Sequence, residues 1–166
     1  MTAKLKDCVL LNRDNVDPGQ IDPFTPYIGL EHINEGSLSL NGYGFAKDVD
    51  SNKSRFQTGD ILFGKLRPYF RKVIIAPFDG VCSTDIWVIR TKKGVEQNFI
   101  FYWIASKEFV AFVNQATEGT RMPRAQWDIA KEAMKPIVSN ERDVGAILRN
   151  LDLKIENNYK IIRAIV

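Results

Sequence analysis

The hydrophobic period of the chain changes once, at Gly94, and that change limits what it can fold into. Before Gly94 the apolar residues come in short runs: Tyr27-Ile28-Gly29-Leu30, Ser37-Leu38-Ser39-Leu40, Ile61-Leu62-Phe63, Val73-Ile74-Ile75-Ala76 and Val81 through Ile89. Runs of this length bounded by Gly, Pro, Asn and Asp read as strands. The turn Pro77-Phe78-Asp79-Gly80 is predicted to fold the fourth run directly back into the fifth as a hairpin. Beyond Gly94, residues Phe99, Ile100, Trp103, Ile104, Phe109, Val110 and Val113 recur at three and four. That is the spacing of one helical face, and it predicts a buried helix from Gln97 to Gln115. A short helix around Ala125 to Ala133 and an extended Lys135-Pro136-Ile137-Val138 follow. Strands first and helices afterwards make an α+β domain. The stretch from Met1 to Pro26 is polar and turn-rich, with Asp17-Pro18-Gly19, Asp22-Pro23 and Thr25-Pro26, and is expected to be extended connection with little regular structure.

The end of the chain differs in kind. Asn140 is suited to cap a helix whose first turn carries Glu141 and Asp143. Behind it Val144, Leu148, Leu151, Ile155, Asn158, Ile162 and Ile165 alternate at spacings of four and three. This is a coiled-coil seam with one polar member, Asn158, a residue type that fixes register and partner number. A helix from Glu141 to Val166 would be about 39 Å long. Such a seam needs a cover, either the globular part of the same chain or a second helix. The chain accordingly divides into a domain at 1–138 and a helix at 139–166.

Composition bounds the function. With 166 residues, 45% hydrophobic and 26% charged, the chain can bury one full-sized core. Its formal charge of +3 makes any nucleic-acid surface a local patch. Cys8 and Cys82 lack metal or redox spacing, and reduced thiols fit a reducing compartment. No signal-peptide core and no apolar stretch of membrane-spanning length is present, so the expected location is cytoplasmic, without membrane association.

The sequence carries none of the familiar catalytic patterns. His32 is the only histidine, with no cluster around it. Nucleophile-elbow, phosphate-loop and dinucleotide spacings are absent. Asp79, Asp85, Lys92 and Lys93 flank a hairpin, but turn aspartates and strand-edge lysines account for them. Asp22-Pro23-Phe24 lacks the second proline of an adenine-methyltransferase motif. No catalytic residue, metal ligand or cofactor is therefore assigned. The residues favour a binding surface. Between Lys53 and Lys72 lie six Lys or Arg (Lys53, Arg55, Lys65, Arg67, Arg71, Lys72) against one acid, Asp60. Tyr69 and Phe70 sit among them. The segment reads either as a half-buried strand with a solvated basic face or as a surface for phosphates and base edges. Arg121 and Arg124 bracket Met122-Pro123 in a stiffened loop, again either a solvated connector or a groove contact.

Five blocks of the chain resemble, in order and spacing, the specificity subunits of type I restriction–modification enzymes. They are Tyr27 to Ile33, Phe56 to Tyr69, Asp79 to Asp85, Gly119 to Arg124 and Leu151 to Asn158. The resemblance implies a target recognition domain of mixed α/β build followed by a long coiled-coil spacer helix. It implies a non-catalytic subunit that reads half of a bipartite DNA site. Modification subunits carrying S-adenosylmethionine and ATP-driven restriction subunits would be its protein partners. Family members usually hold two recognition domains and two spacers. Here there is one of each, as in a half-subunit, natural or excised. The approach to the spacer, Lys135 to Arg142, lacks the family's second proline and its glutamine.

The expected DNA contacts are Lys65, Arg67, Tyr69, Arg71, Arg121 and Arg124, with Lys47, Lys53, Arg55 and Lys72 as further candidates. Strand alternation would put Lys65, Arg67, Tyr69 and Arg71 on one face unless Pro68 breaks it. The shared basic segment would position the DNA, while loops near 41–55 and 121–126 would choose the sequence. The seam would pair the chain with itself, as a homodimer, or with another specificity half. The alternatives are a protein-interaction module without DNA binding of its own and a small nuclease. A DNA-mimicking fragment is opposed by a pI of about 8.8.

Overall fold

The apolar runs before Gly94 do become strands, but they are shared between two sheets. The computed structural model describes residues 1–115, 117 and 121–165. In chain order the elements are β1 (Thr2–Lys4), α1 (Leu5–Cys8), β2 (Val9–Asn12), β3 (Asn15–Val16), β4 (Pro26–Ile28), β5 (Gly44–Phe45), β6 (Lys53–Phe56), β7 (Ile61–Gly64), β8 (Val73–Ile75), β9 (Gly80–Ser83) and β10 (Ile86–Thr91). Then follow α2 (Gln97–Ile104), α3 (Lys107–Gln115), α4 (Trp127–Ala130), β11 (Met134–Pro136) and α5 (Glu141–Ile165). An antiparallel four-stranded sheet has the order β2-β10-β7-β8, and a five-stranded sheet has the order β3-β6-β9-β4-β5, with β4 parallel to β9.

Alternation along the strands explains the layering. In β7, Ile61 and Phe63 face the helices while Leu62 faces the other sheet. In β10, Trp87 and Ile89 face the helices while Ile86 and Val88 face the other sheet. The four-stranded sheet is thus covered on both faces, which is why its strands read as continuous apolar runs. Helices α2, α3 and α4 close one core, and the five-stranded sheet, with Ile28, Phe56 and Cys82, closes the second.

Several expectations are corrected. The 77–80 turn does not make a hairpin. β8 pairs with β7 in one sheet, whereas β9 pairs with β6 and β4 in the other, so the turn carries the chain between layers. The run 81–89 is likewise cut at Thr84-Asp85 into β9 and β10, which belong to different sheets. Hydrophobicity could not reveal this, because strands in both sheets are buried. Ser37 to Leu40 is no strand; it contributes one bridge, Ile33 to Leu40, and Leu38 takes φ +55°. The 97–115 helix breaks at Ala105-Ser106, where the Ser106 hydroxyl accepts the Phe109 N–H at 3.2 Å and caps α3.

The N-terminal stretch is more structured than its polarity suggested. β1 pairs antiparallel with β11 (Thr2 to Pro136), and Leu5, Cys8 and Val9 are buried in the helix-side core. Lys4 and Lys6 each bond Glu132 at 2.7 Å, strengthening this closure between distant parts of the chain.

Helix α5 forms as expected, with Val166 outside the described residues. It rests on α2 through Gly145, its one buried residue, where an added Cβ would lie 2.9 Å from the Phe99 nitrogen. Tyr102 donates to Asp152 farther along. The buried Lys135 ammonium bonds Glu141 and lies 4.7 Å from the Phe99 ring centre, securing the helix start. Of the seam, Val144 and Leu148 are half-buried, while Leu151, Ile155, Asn158, Ile162 and Ile165 are exposed. The globular part therefore does not cover the distal seam.

Candidate nucleic-acid interface

The basic segment leaves its sheet at Gly64, and what it meets there defines a site. The Lys65 N–H donates to the Asp85 carbonyl at 2.9 Å. Leu66 makes an isolated antiparallel bridge with Arg124. On either side, the Ala125 N–H donates to the Lys65 carbonyl at 2.8 Å and the Arg67 N–H to the Pro123 carbonyl at 2.7 Å. Backbone bonds thus join the basic segment, the turn between β9 and β10, and the 121–125 loop.

This junction forms one wall of a cleft of about 990 Å³. Asn12 at the end of β2, Arg13, and Asn15 at the start of β3 also line it, with Ser54 and the start of α4. Arg13, Lys65, Arg121 and Arg124 bring four cations to it, against Asp128 among its lining residues. Amide side chains of Asn12, Asn15 and Gln126 also line it. Asn12 is steadied by donating to the Arg55 carbonyl at 2.9 Å, and Asn15 by accepting the Ser54 hydroxyl at 3.0 Å. Arg124 meets Asp85 with both faces of a fork: Nε to Oδ1 at 2.8 Å and Nη2 to Oδ2 at 3.1 Å. That bond raises the already high pKa of the guanidinium, so Arg124 is always charged. Cations with amide donors and acceptors in a cleft suit phosphates and base edges together.

Of the ten expected contacts, Lys65, Arg121 and Arg124 line the cleft. Arg67 lies next to it, its guanidinium 3.5 Å from the Arg121 carbonyl. The expected common face of Lys65, Arg67, Tyr69 and Arg71 does not exist. Pro68 opens a short 3-10 turn to Phe70, and Arg67 and Arg71 on either side take φ values of +50° and +49°. Tyr69 is exposed on that turn, at a separate hollow of about 490 Å³ beside α3. Arg71 is turned inward, donating to the Gly36 carbonyl, with its Nε buried and unpaired. Lys72 donates to the Leu30 carbonyl at 2.7 Å. Lys53 is only 4% exposed and donates to the Ser51 hydroxyl at 2.7 Å, with burial lowering its pKa; its expected place on the surface is corrected. Lys47 lies over the Phe24 ring at 4.7 Å, away from the cleft, and Arg55 is exposed, 3.9 Å from Asp14.

Arg13, Asn12 and Asn15 were missed because the N-terminal stretch read as connection. Four polar residues placed directly after Val9-Leu10-Leu11 were the available signal. His32 accepts the Gly29 N–H on Nδ1 at 2.9 Å, a role within its own turn. Among the described residues no cluster of His, Cys, Asp or Glu is arranged to hold a metal, and no helix is long and apolar enough to cross a membrane.

Residues 12–165 match the type I restriction modification DNA specificity domain. The specificity subunit of the type I restriction enzyme EcoDI of Escherichia coli is 35% identical over 104 residues, which are 61% of this chain and 23% of that one. The solved HsdS subunit from Thermoanaerobacter tengcongensis shares the fold with a TM-score of 0.74 at 19% identity, over 97% of this chain and 44% of that one. A chain from a type I R-M system studied for its complex assembly and conformational transition gives 0.76 at 20% identity, over 99% and 44%. The S subunit from M. genitalium gives 0.68 at 15%, over 99% and 42%. The chain spans less than half the length of each of these relatives. With the family match running from the end of β2 to the end of α5, this chain belongs to the type I restriction modification DNA specificity domains.

Proposed function

We propose that residues 1–138 read one half of a bipartite DNA site, and that residues 139–166 are the spacer that sets the distance to the other half. The observation that carries this reading is the cleft between the Asn12–Asn15 link and the 121–126 loop, where four cations and three amides converge on one opening. Lys65, Arg13 and Arg121 supply charge for phosphates, while the amides and Arg124 supply base-edge donors and acceptors. Lys47, Arg55, Arg67 and Tyr69 remain outlying contacts for a duplex that overruns the cleft. Loops 12–15 and 121–126 are the sequence-choosing walls, in place of the 41–55 loop.

The exposed side chains Leu151, Ile155, Ile162 and Ile165, with Asn158 among them, support pairing of α5 with a second copy or another specificity half. In that assembly the chain directs modification and restriction subunits to the site, and methyl transfer and cleavage belong to those partners. Sequencing the methylation motifs of a host carrying this chain with its modification subunit tests the reading. A gapped motif is expected; a host that gains no motif sinks it. The same exposed helix face favours a second reading, a module that assembles subunits without touching DNA. Gel shifts with and without the modification subunit separate the two, because only the DNA-reading domain changes its shift when Lys65 and Arg121 are replaced by Ala. Against the nuclease alternative, DNA incubated with the purified chain and magnesium is expected to stay intact.

A further inference from the structure

We propose that Asp85 is a positioning residue that holds Arg124 in the orientation that reads a guanine. The assignment rests on the DNA-reading function of the cleft and names one base that it reads.

Asp85 is fixed from two sides. It follows β9, whose Ser83 pairs with Lys53 in one sheet, and precedes β10, whose Ile86 pairs with Gly64 in the other. Its N–H donates to the Ser83 hydroxyl at 3.2 Å, and its carbonyl accepts the Lys65 N–H at 2.9 Å. Arg124 is held by the bridge to Leu66 and by the neighbouring bond from Ala125 to Lys65. The contact between them is therefore set by two anchored backbones.

The fork uses the Nε–H and one Nη2–H of Arg124. Both Nη1–H donors and the second Nη2–H remain, so the end-on edge of the guanidinium offers two parallel donors. Arg124 is 45% exposed and lines the cleft, so that edge is accessible. In the major groove only guanine presents two adjacent acceptors on one base, N7 and O6; adenine pairs an acceptor with a donor. A two-donor edge held in one plane therefore selects guanine. A cation that served only phosphates would gain nothing from a carboxylate that offsets its charge. An ion pair this exposed also adds little to stability. Orientation is what the pair supplies, since an arginine already in one rotamer loses less freedom on binding.

The test uses the chain assembled with its modification subunits and a pool of randomised duplexes, selected by wild type, R124A and D85N. The expected wild-type site contains a guanine whose preference falls about 5- to 150-fold in R124A, the range for one bidentate pair. D85N should relax the same position while affinity for non-specific DNA holds or rises, because a negative charge beside the phosphates is gone. A merely structural role for Asp85 would lower both. Replacing that guanine by 7-deazaguanine, which lacks the N7 acceptor, should weaken wild type and leave R124A unaffected. D85S takes the place of D85N should D85N melt early. The assignment is overturned if R124A relaxes no position or one whose preferred base is not guanine, or if folded D85N or D85S keeps the full guanine preference. A wild-type complex that selects no sequence overturns the DNA reading and this assignment with it.

Discussion

Lys53 and Lys65 belong to one basic stretch of sequence and meet opposite fates. The Lys65 side chain lines the cleft, whereas Lys53 is withdrawn beneath the surface with its ammonium on Ser51. Their substitutions should therefore separate. Lys65→Ala is expected to lower the slope of log affinity against log salt by about 0.9, the value for one phosphate contact. Lys53→Ala should leave that slope alone and cost about 1–3 kcal/mol of stability by removing a buried stem and its hydrogen bonds. Titrating affinity from low to high salt, alongside thermal melts, checks both; an altered slope in the Lys53 variant would contradict its placement. Charge and residue type were legible at this scale. Which charges reach solvent was not, because β6 is flanked by β3 and β9 at Lys53, and Pro68 with two left-handed residues re-aims the chain after Leu66.

The least legible element is the first. Strand β1 and helix α1 read as polar connection, yet their cover is β11 and the turn before it, at the far end of the domain's sequence. Glu132 marks that closure, and its two lysine partners hold its carboxyl at about 2, below the ordinary 4.5. A carboxyl depressed on folding contributes stability that is full above about 4.5 and is lost as the pH falls through about 2. Glu132→Gln should flatten the acid limb of a melting-temperature profile in that window, lowering the melting temperature slightly at neutral pH and converging with wild type toward pH 2; an unchanged limb would show that the pair is inert. The seat of α5 gives a second prediction. Gly145→Val would drive a side chain into the Asn98 and Phe99 backbone of α2 and should cost about 1–3 kcal/mol, read by denaturant titration. The α2 and α5 helix patterns and the extended stretch at Lys135 were visible in sequence, whereas β1 and α1 were not. Their partners were not, since periodicity records that a face is buried and never what buries it.

At the scale of the molecule, α5 is anchored at one end and bare at the other. Glycine and polar contacts hold its first half to α2, while Leu151 and Ile155 remain 51% exposed. On the proposed pairing, replacing both by Lys should abolish self-association in sedimentation while leaving a folded monomer, because neither side chain supports the fold of one chain. A variant that stays dimeric would place the interface elsewhere. A two-fold pair would present two copies of one cleft and so prefer an inverted repeat with a fixed gap.

The amino-acid sequence alone determined the class of this protein: the switch from short strands to helices near Gly94, the extent of the last helix, and the blocks that mark its family. These are local properties, carried by period, punctuation and short motifs. The tertiary structure decided the site. Two sheets take alternate strands from what reads as one run, and this layering places the Thr84-Asp85 turn beside Lys65. The loop holding Arg124 then closes on both, and the Asn12–Asn15 link arrives from the other end of the chain. Each of those meetings joins residues far apart in sequence, through backbone pairing that no local pattern encodes.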